Sequence, residues 1–123
     1  MRFKYYALDF DLTITDRDCY PDIGNLKEHA DRVIRRLKDN GAKIAIWTCR
    51  TGQEQEKLVK DFLHKHNIPY DKFNEPFEEL TEMFDSTSRK ILAEVYIDDR
   101  GIYARMNGGI DWLQIEKFLF EES

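Results

Sequence analysis

The chain has few of the residues that stabilise small domains by covalent or conformational means. Two cysteines, Cys19 and Cys49, give no disulfide framework, and no Cys/His cluster points to zinc. Three prolines and six glycines among 123 residues exclude a fibrous repeat. With 41% hydrophobic residues, disorder is excluded as well. The longest apolar runs are short, such as Ile44-Ala45-Ile46-Trp47, far below the ~20 residues a membrane helix needs. The N-terminus reaches Asp9 before a signal-peptide core can form, which reads as a cytoplasmic chain without a membrane partner. Positive charge is also short. Nineteen Lys and Arg against 24 Asp and Glu leave −5, which argues against a nucleic-acid-binding face but not against a local basic pocket.

What is present suits one domain. At this length roughly two-thirds of the unfolded surface is buried on folding, enough for one core and too little for two. Phe3 to Leu8, Lys43 to Trp47, Tyr70 to Phe73 and Val95 to Ile97 read as strands, with a further edge strand at Ile102 to Ala104. Leu26, Ala30, Val33, Ile34 and Leu37 recur at helical spacing. Asn25 and Glu28 form a capping box at the start, and Gly41 ends the run. Thr51 and Glu54 form a second box before the stripe Leu58, Val59, Phe62, Leu63, which Asn67 and Pro69 close. Phe77 to Phe84 reads as a helix, and Asp111 and Gln114 cap a last one through Phe120. Phe62, Phe77, Phe84, Trp112 and Phe118 read as core stripes, and the three histidines as surface or boundary residues.

Short apolar strands alternating with helices indicate a doubly wound α/β domain. Its mainly parallel sheet has helices on both faces. Parallel strands end along one edge, where such sheets bind ligands. Strand one ends in Asp9-Phe10-Asp11-Leu12-Thr13, strand two in Thr48-Cys49-Arg50, and the last in Asp98-Asp99-Arg100, with Lys90 upstream. Up to four carboxylates, a hydroxyl and a lysine therefore share one cleft. Ionised carboxylates about 4 Å apart repel by several kcal/mol at an effective dielectric near 20, so a divalent cation is expected among them. An all-oxygen set favours Mg²⁺ together with a substrate phosphate.

These residues resemble the haloacid dehalogenase-like (HAD) phosphohydrolase superfamily. Asp9-x-Asp11-x-Thr13 after an apolar strand is similar to its first motif, Thr48 to its second, Lys90 to its third, and Asp98-Asp99 to its fourth. The resemblance implies a strand order 4-1-2-3 and a Mg²⁺-dependent phosphatase. Asp9 is then the nucleophile that forms an aspartyl-phosphate, and Asp11 the general acid and base. It also implies metal ligation by Asp9, the Asp11 backbone carbonyl and Asp98 or Asp99, with Asp98 favoured as direct ligand. Thr48 and Lys90 hold the phosphate. Residues expected near substrate are Thr13, Thr48, Cys49, Arg50, Asn74 and Lys90. Thr13 could equally bond the turn backbone, Arg50 could equally form a surface ion pair, and a buried thiol is the leading reading of Cys49.

Only fourteen residues, Leu12 to Asn25, join the first strand to the first helix, too few for the cap domain of most members. The chain thus looks like small capless members with Trp-Thr-Cys-Arg and Tyr-Ile-Asp-Asp-Arg signatures. Its open cleft would admit bulky substrates or be covered by a second subunit. Sugar phosphates, nucleotides, a phosphorylated nucleic-acid end and a phosphoprotein all stay open as substrates. Two alternatives to hydrolysis stand beside it. One is a phosphotransferase of the same fold. The other is a non-hydrolytic phosphate binder or receiver-like signalling module.

Overall fold

The structure is a computed structural model that describes residues 1–84, 93–99 and 109–120. The described elements run β1 (Tyr5–Asp9), α1 (Ala30–Asp39), β2 (Lys43–Trp47), α2 (Gln53–Lys65), β3 (Lys72–Phe73), α3 (Glu78–Phe84), β4 (Val95–Ile97) and α4 (Trp112–Leu119). All strand pairs are parallel, in the order β3-β2-β1-β4. This is the expected 4-1-2-3 order and a doubly wound α/β sheet. The edge strand expected at Ile102 to Ala104 lies outside the described residues.

Side-chain alternation assigns the two faces. Tyr6 and Leu8 of β1 sit beside Ile44 and Ile46 of β2, and Leu8 beside Ile97 of β4. These residues pack with Val33, Ile34 and Leu37 of α1, Val59 and Leu63 of α2, and Trp112 and Leu119 of α4. The opposite face carries Ala45 against Phe77 and Leu80, with Tyr5 edge-on to the Phe77 ring at 5.1 Å. Strands buried on both sides need no period-2 polarity, which is why they read as short apolar runs. Among the described residues no helix is long and apolar enough to cross a membrane.

Helix ends follow local chemistry. Asn40 closes α1, and Gly41 takes a φ of 91° beyond it. Gly41 N–H then reaches the Lys38 carbonyl at 3.0 Å and Ala42 N–H the Leu37 carbonyl at 3.0 Å. The same pair of bonds closes α2, from Asn67 (φ 54°) to His64 and from Ile68 to Leu63. Glycine and asparagine tolerate this left-handed position, so both stops were visible in the sequence. At α4 the Asp111 carboxylate accepts the Gln114 N–H at 3.2 Å, as expected.

Two helix starts differ from expectation. Asn25 and Glu28 form no capping box, because α1 begins at Ala30 after His29 in the left-handed region. Residues 25–27 instead pair with 14–16. Asp16 N–H donates to the Asn25 carbonyl at 2.8 Å and Lys27 N–H to that of Ile14 at 2.7 Å, around an antiparallel Thr15–Leu26 bridge. Nor does Thr51 cap α2, whose first turn starts at Gln53 behind Gly52 (φ 89°). Phe118 also departs from the expected core stripe. It is 58% exposed, with the Arg2 guanidinium 4.7 Å from its ring centre. Arg2 joins the chain's two ends, its N–H donating to the Leu119 carbonyl at 2.9 Å.

Candidate active site

The functional candidates collect where β1, β2 and β4 end. Leu8 pairs with Ile97, so Asp9 and the acidic pair after β4 leave the sheet side by side. The chain turns from β2 outward to β3 and then crosses back to β4, so β1 and β4 flank the point where the winding reverses. Such a point opens a crevice at the strands' carboxyl ends.

Asp9 is partly buried, and its carboxyl group hydrogen-bonds that of Asp99. Burial pushes the Asp9 pKa up to about 7. The Phe10 N–H bond opposes this shift, while Asp99 and then Asp11 add to it. Asp99, which follows β4, is therefore a neighbour of Asp9.

Asp11 goes elsewhere. After Phe10 the chain winds tightly, the Phe10 carbonyl accepting the N–H of Thr13 (3.3 Å), Ile14 (2.9 Å) and Thr15 (3.1 Å). Asp11 then meets Arg50 in a two-pronged ion pair, Nε to Oδ2 at 2.9 Å and Nη2 to Oδ1 at 2.9 Å. The cleft that was expected to gather four carboxylates pairs two of them and gives the third to a guanidinium. Accordingly no cluster of three or more metal-ligating side chains occurs among the described residues.

Arg50 is 4% exposed, so it is neither a surface ion pair nor open to a substrate. Charge usually signals exposure, and its partners lie 28 to 39 residues away for all but Gln55, so the sequence held no sign of this burial. Arg50's own N–H donates to Thr48 Oγ1 at 3.2 Å. Thr48 N–H in turn donates to Asn74 Oδ1 at 2.8 Å. The Thr48 hydroxyl thus accepts from the backbone and keeps its proton as a donor. Asn74 can face Thr48 because its backbone is left-handed, with φ at 51°. Its position beside the cleft was foreseen, but not its grip on Thr48.

Two further candidates resolve differently. Thr13 is fully buried and its hydroxyl has no partner among the described residues, so it does not bond the turn backbone. Its carbonyl accepts the Trp112 indole N–H at 2.8 Å. Cys49 is exposed at the end of β2, where a buried thiol was expected. Lys90 and Arg100 lie outside the described residues.

Comparison with known proteins extends this picture in one direction. No family model matches the chain, and no curated protein matches it significantly. A solved structure does match, that of a conserved protein from Bacteroides thetaiotaomicron. The two are 26% identical with a TM-score of 0.76, over 98% of this chain and 93% of that one. The α/β architecture is thus shared along nearly the whole length of both chains.

Proposed function

We propose that the protein is a Mg²⁺-dependent phosphomonoester hydrolase of the haloacid dehalogenase-like type. The observation that carries this reading is the meeting of Asp9 and Asp99 beside Thr48 at the point where the sheet's winding reverses. Burial and the neighbouring Asp99 favour the protonated form of Asp9, and that proton holds the place a cation can take. The oxygen donors in this reading are Asp9, Asp99 and the Asp11 backbone carbonyl, with Asp98 counted on sequence grounds alone, a set of a kind suited to Mg²⁺. Bound there, the ion would neutralise charge on the carboxylates and on the transferring phosphoryl group.

Freed of its proton, Asp9 attacks phosphorus, forms an Oδ–P bond and expels the substrate oxygen. Asp11, an ion-paired carboxylate at rest, takes up the proton that Asp9 gives up and passes it to that oxygen. In the second step Asp11 takes a proton from water as the water attacks phosphorus. The Oδ–P bond breaks, and phosphate and Asp9 are released. The Thr48 hydroxyl donates to a phosphate oxygen. Lys90 supplies the remaining positive charge in this reading on sequence grounds alone. At this edge the connector 10–29 folds back on itself, residues 14–16 pairing with 25–27.

Phosphate release from a generic aryl phosphate, with Mg²⁺ and with chelator, tests the proposal. Turnover by the parent, lost in Asp9→Asn and on chelation, is the expected result. Stable labelling of Asp9 without turnover would favour a receiver-like module. Undiminished turnover by Asp9→Asn would remove the nucleophile assignment.

A further inference from the structure

We infer that Arg50 is the positioning residue for Asp11, and that it does so by clamping the β1–α1 connector over the end of β2. The inference rests on the reading of Asp11 as acid and base. A guanidinium has five N–H donors. In Arg50 all five are engaged. Two meet the Asp11 oxygens, both at 2.9 Å. The others reach Gln55 Oε1 at 2.6 Å, the Pro21 carbonyl at 3.2 Å and the Asp22 carbonyl at 2.6 Å. No donor is left for a substrate phosphate. At 4% exposure the charge is out of water, and a buried cation persists only when paired and hydrogen-bonded.

The contacts converge from three separate parts of the chain. Asp11 follows β1, Pro21 and Asp22 belong to the connector, and Gln55 lies in the first turn of α2. Gln55 Nε2 reaches back to the Pro21 carbonyl at 3.2 Å, closing the ring of contacts. The Tyr20 ring lies over the guanidinium at 5.2 Å. Arg50 is also tied to Thr48 through its own N–H. One side chain therefore sets the direction of the Asp11 carboxyl relative to the strand end that holds the Thr48 donor. A lysine cannot replace it, because an ammonium is a point charge without the planar fork that fixes both carboxylate oxygens.

The consequence is a selective defect. Paired with Arg50, Asp11 has no proton of its own and must be aimed to take up the one that Asp9 gives up; that relay matters when the departing oxygen needs a proton, and little when it leaves readily as an anion. The experiment measures kcat/KM for Arg50→Lys and Asp11→Asn, alone and combined. The substrates run from dinitrophenyl phosphate through phenyl phosphate to an alkyl phosphate. We expect Arg50→Lys to lose roughly a hundredfold on the alkyl phosphate and no more than a few-fold on dinitrophenyl phosphate. It should add nothing to the loss already present in Asp11→Asn. An equal loss on every substrate, or a further loss in the double variant, would overturn the positioning role. An Asp11→Asn variant with no leaving-group preference would instead overturn the reading of Asp11, a separate result. If Arg50→Lys does not fold, Gln55→Leu removes a single contact of Arg50. The same selective loss is expected there in smaller degree, and an unchanged leaving-group profile counts against the inference.

Discussion

The Asn74 side-chain carbonyl holds the Thr48 N–H at 2.8 Å, and this bond joins the loop after β3 to the end of β2. The amide it holds belongs to the residue whose hydroxyl accepts the Arg50 N–H at 3.2 Å and is proposed to donate to phosphate. Asn74 is exposed, yet its backbone is bent into a conformation that few side chains tolerate.

Asn74→Gly keeps that backbone conformation and removes only the acceptor. Phosphate turnover should fall about tenfold, the equivalent of one hydrogen bond. Asn74→Asp, which retains an acceptor at the same place, should recover most of it. Steady-state kinetics on an aryl phosphate compare the three proteins.

Asp9 makes stability depend on pH in an unusual direction. Its pKa rises from 3.8 to about 7 on folding, chiefly through burial, so without metal the folded protein holds a proton that the unfolded chain releases. That contribution is complete below pH 3.8 and is lost as pH rises through about 7. In chelator, the melting temperature should therefore decline across this window in the parent and much less in Asp9→Asn. Mg²⁺ competes with the same proton, so its apparent affinity should strengthen up to about pH 7 and level off above it.

Glu116 follows the opposite rule. Only 6% exposed, it accepts from Arg32 at 2.7 and 2.9 Å and from Arg36 at 2.9 Å, fastening α4 to α1. The bonds from Arg32 and then Arg36, against the burial penalty, bring its pKa down from 4.5 to about 2. Its stabilisation is present above pH 4.5 and is lost as pH falls through about 2. Glu116→Gln should cost about 2 kcal/mol near neutrality, where hydrogen bonds to charged groups are strongest, and little at the acid end. Urea unfolding at both pH values measures the difference.

Thr13→Val should stabilise the protein by about 1 kcal/mol. The hydroxyl is buried without a partner, and valine has the same shape without the polar atom. Phosphate turnover should persist, since Thr13 is fully buried. Trp112→Phe should act the other way, costing about 1–2 kcal/mol by leaving the Thr13 carbonyl without its indole donor. Thermal denaturation of both variants decides the matter.

Features governed by neighbouring residues were legible before any coordinates. The α1 and α2 stops follow from Gly41 and Asn67, the α4 start from Asp111, and the strand ends from apolar runs meeting polar clusters. Features governed by distant residues were not. Asn25 looks like a helix cap until its carbonyl is seen to accept from Asp16. Arg50 looks solvated until its partners on the connector are known. The divergence of Asp9 and Asp11 belongs to the same class, because Asp99 and Arg50 draw them in different directions. Spacing along the chain brought these groups to one edge without revealing how they divide there.

Arg2 rests on the final turn of α4, so the first and last turns of the described chain are neighbours on the side of the sheet away from Asp9. Handles attached near Arg2 would project away from the crevice, so immobilised protein would present its reactive edge to incoming phosphate esters.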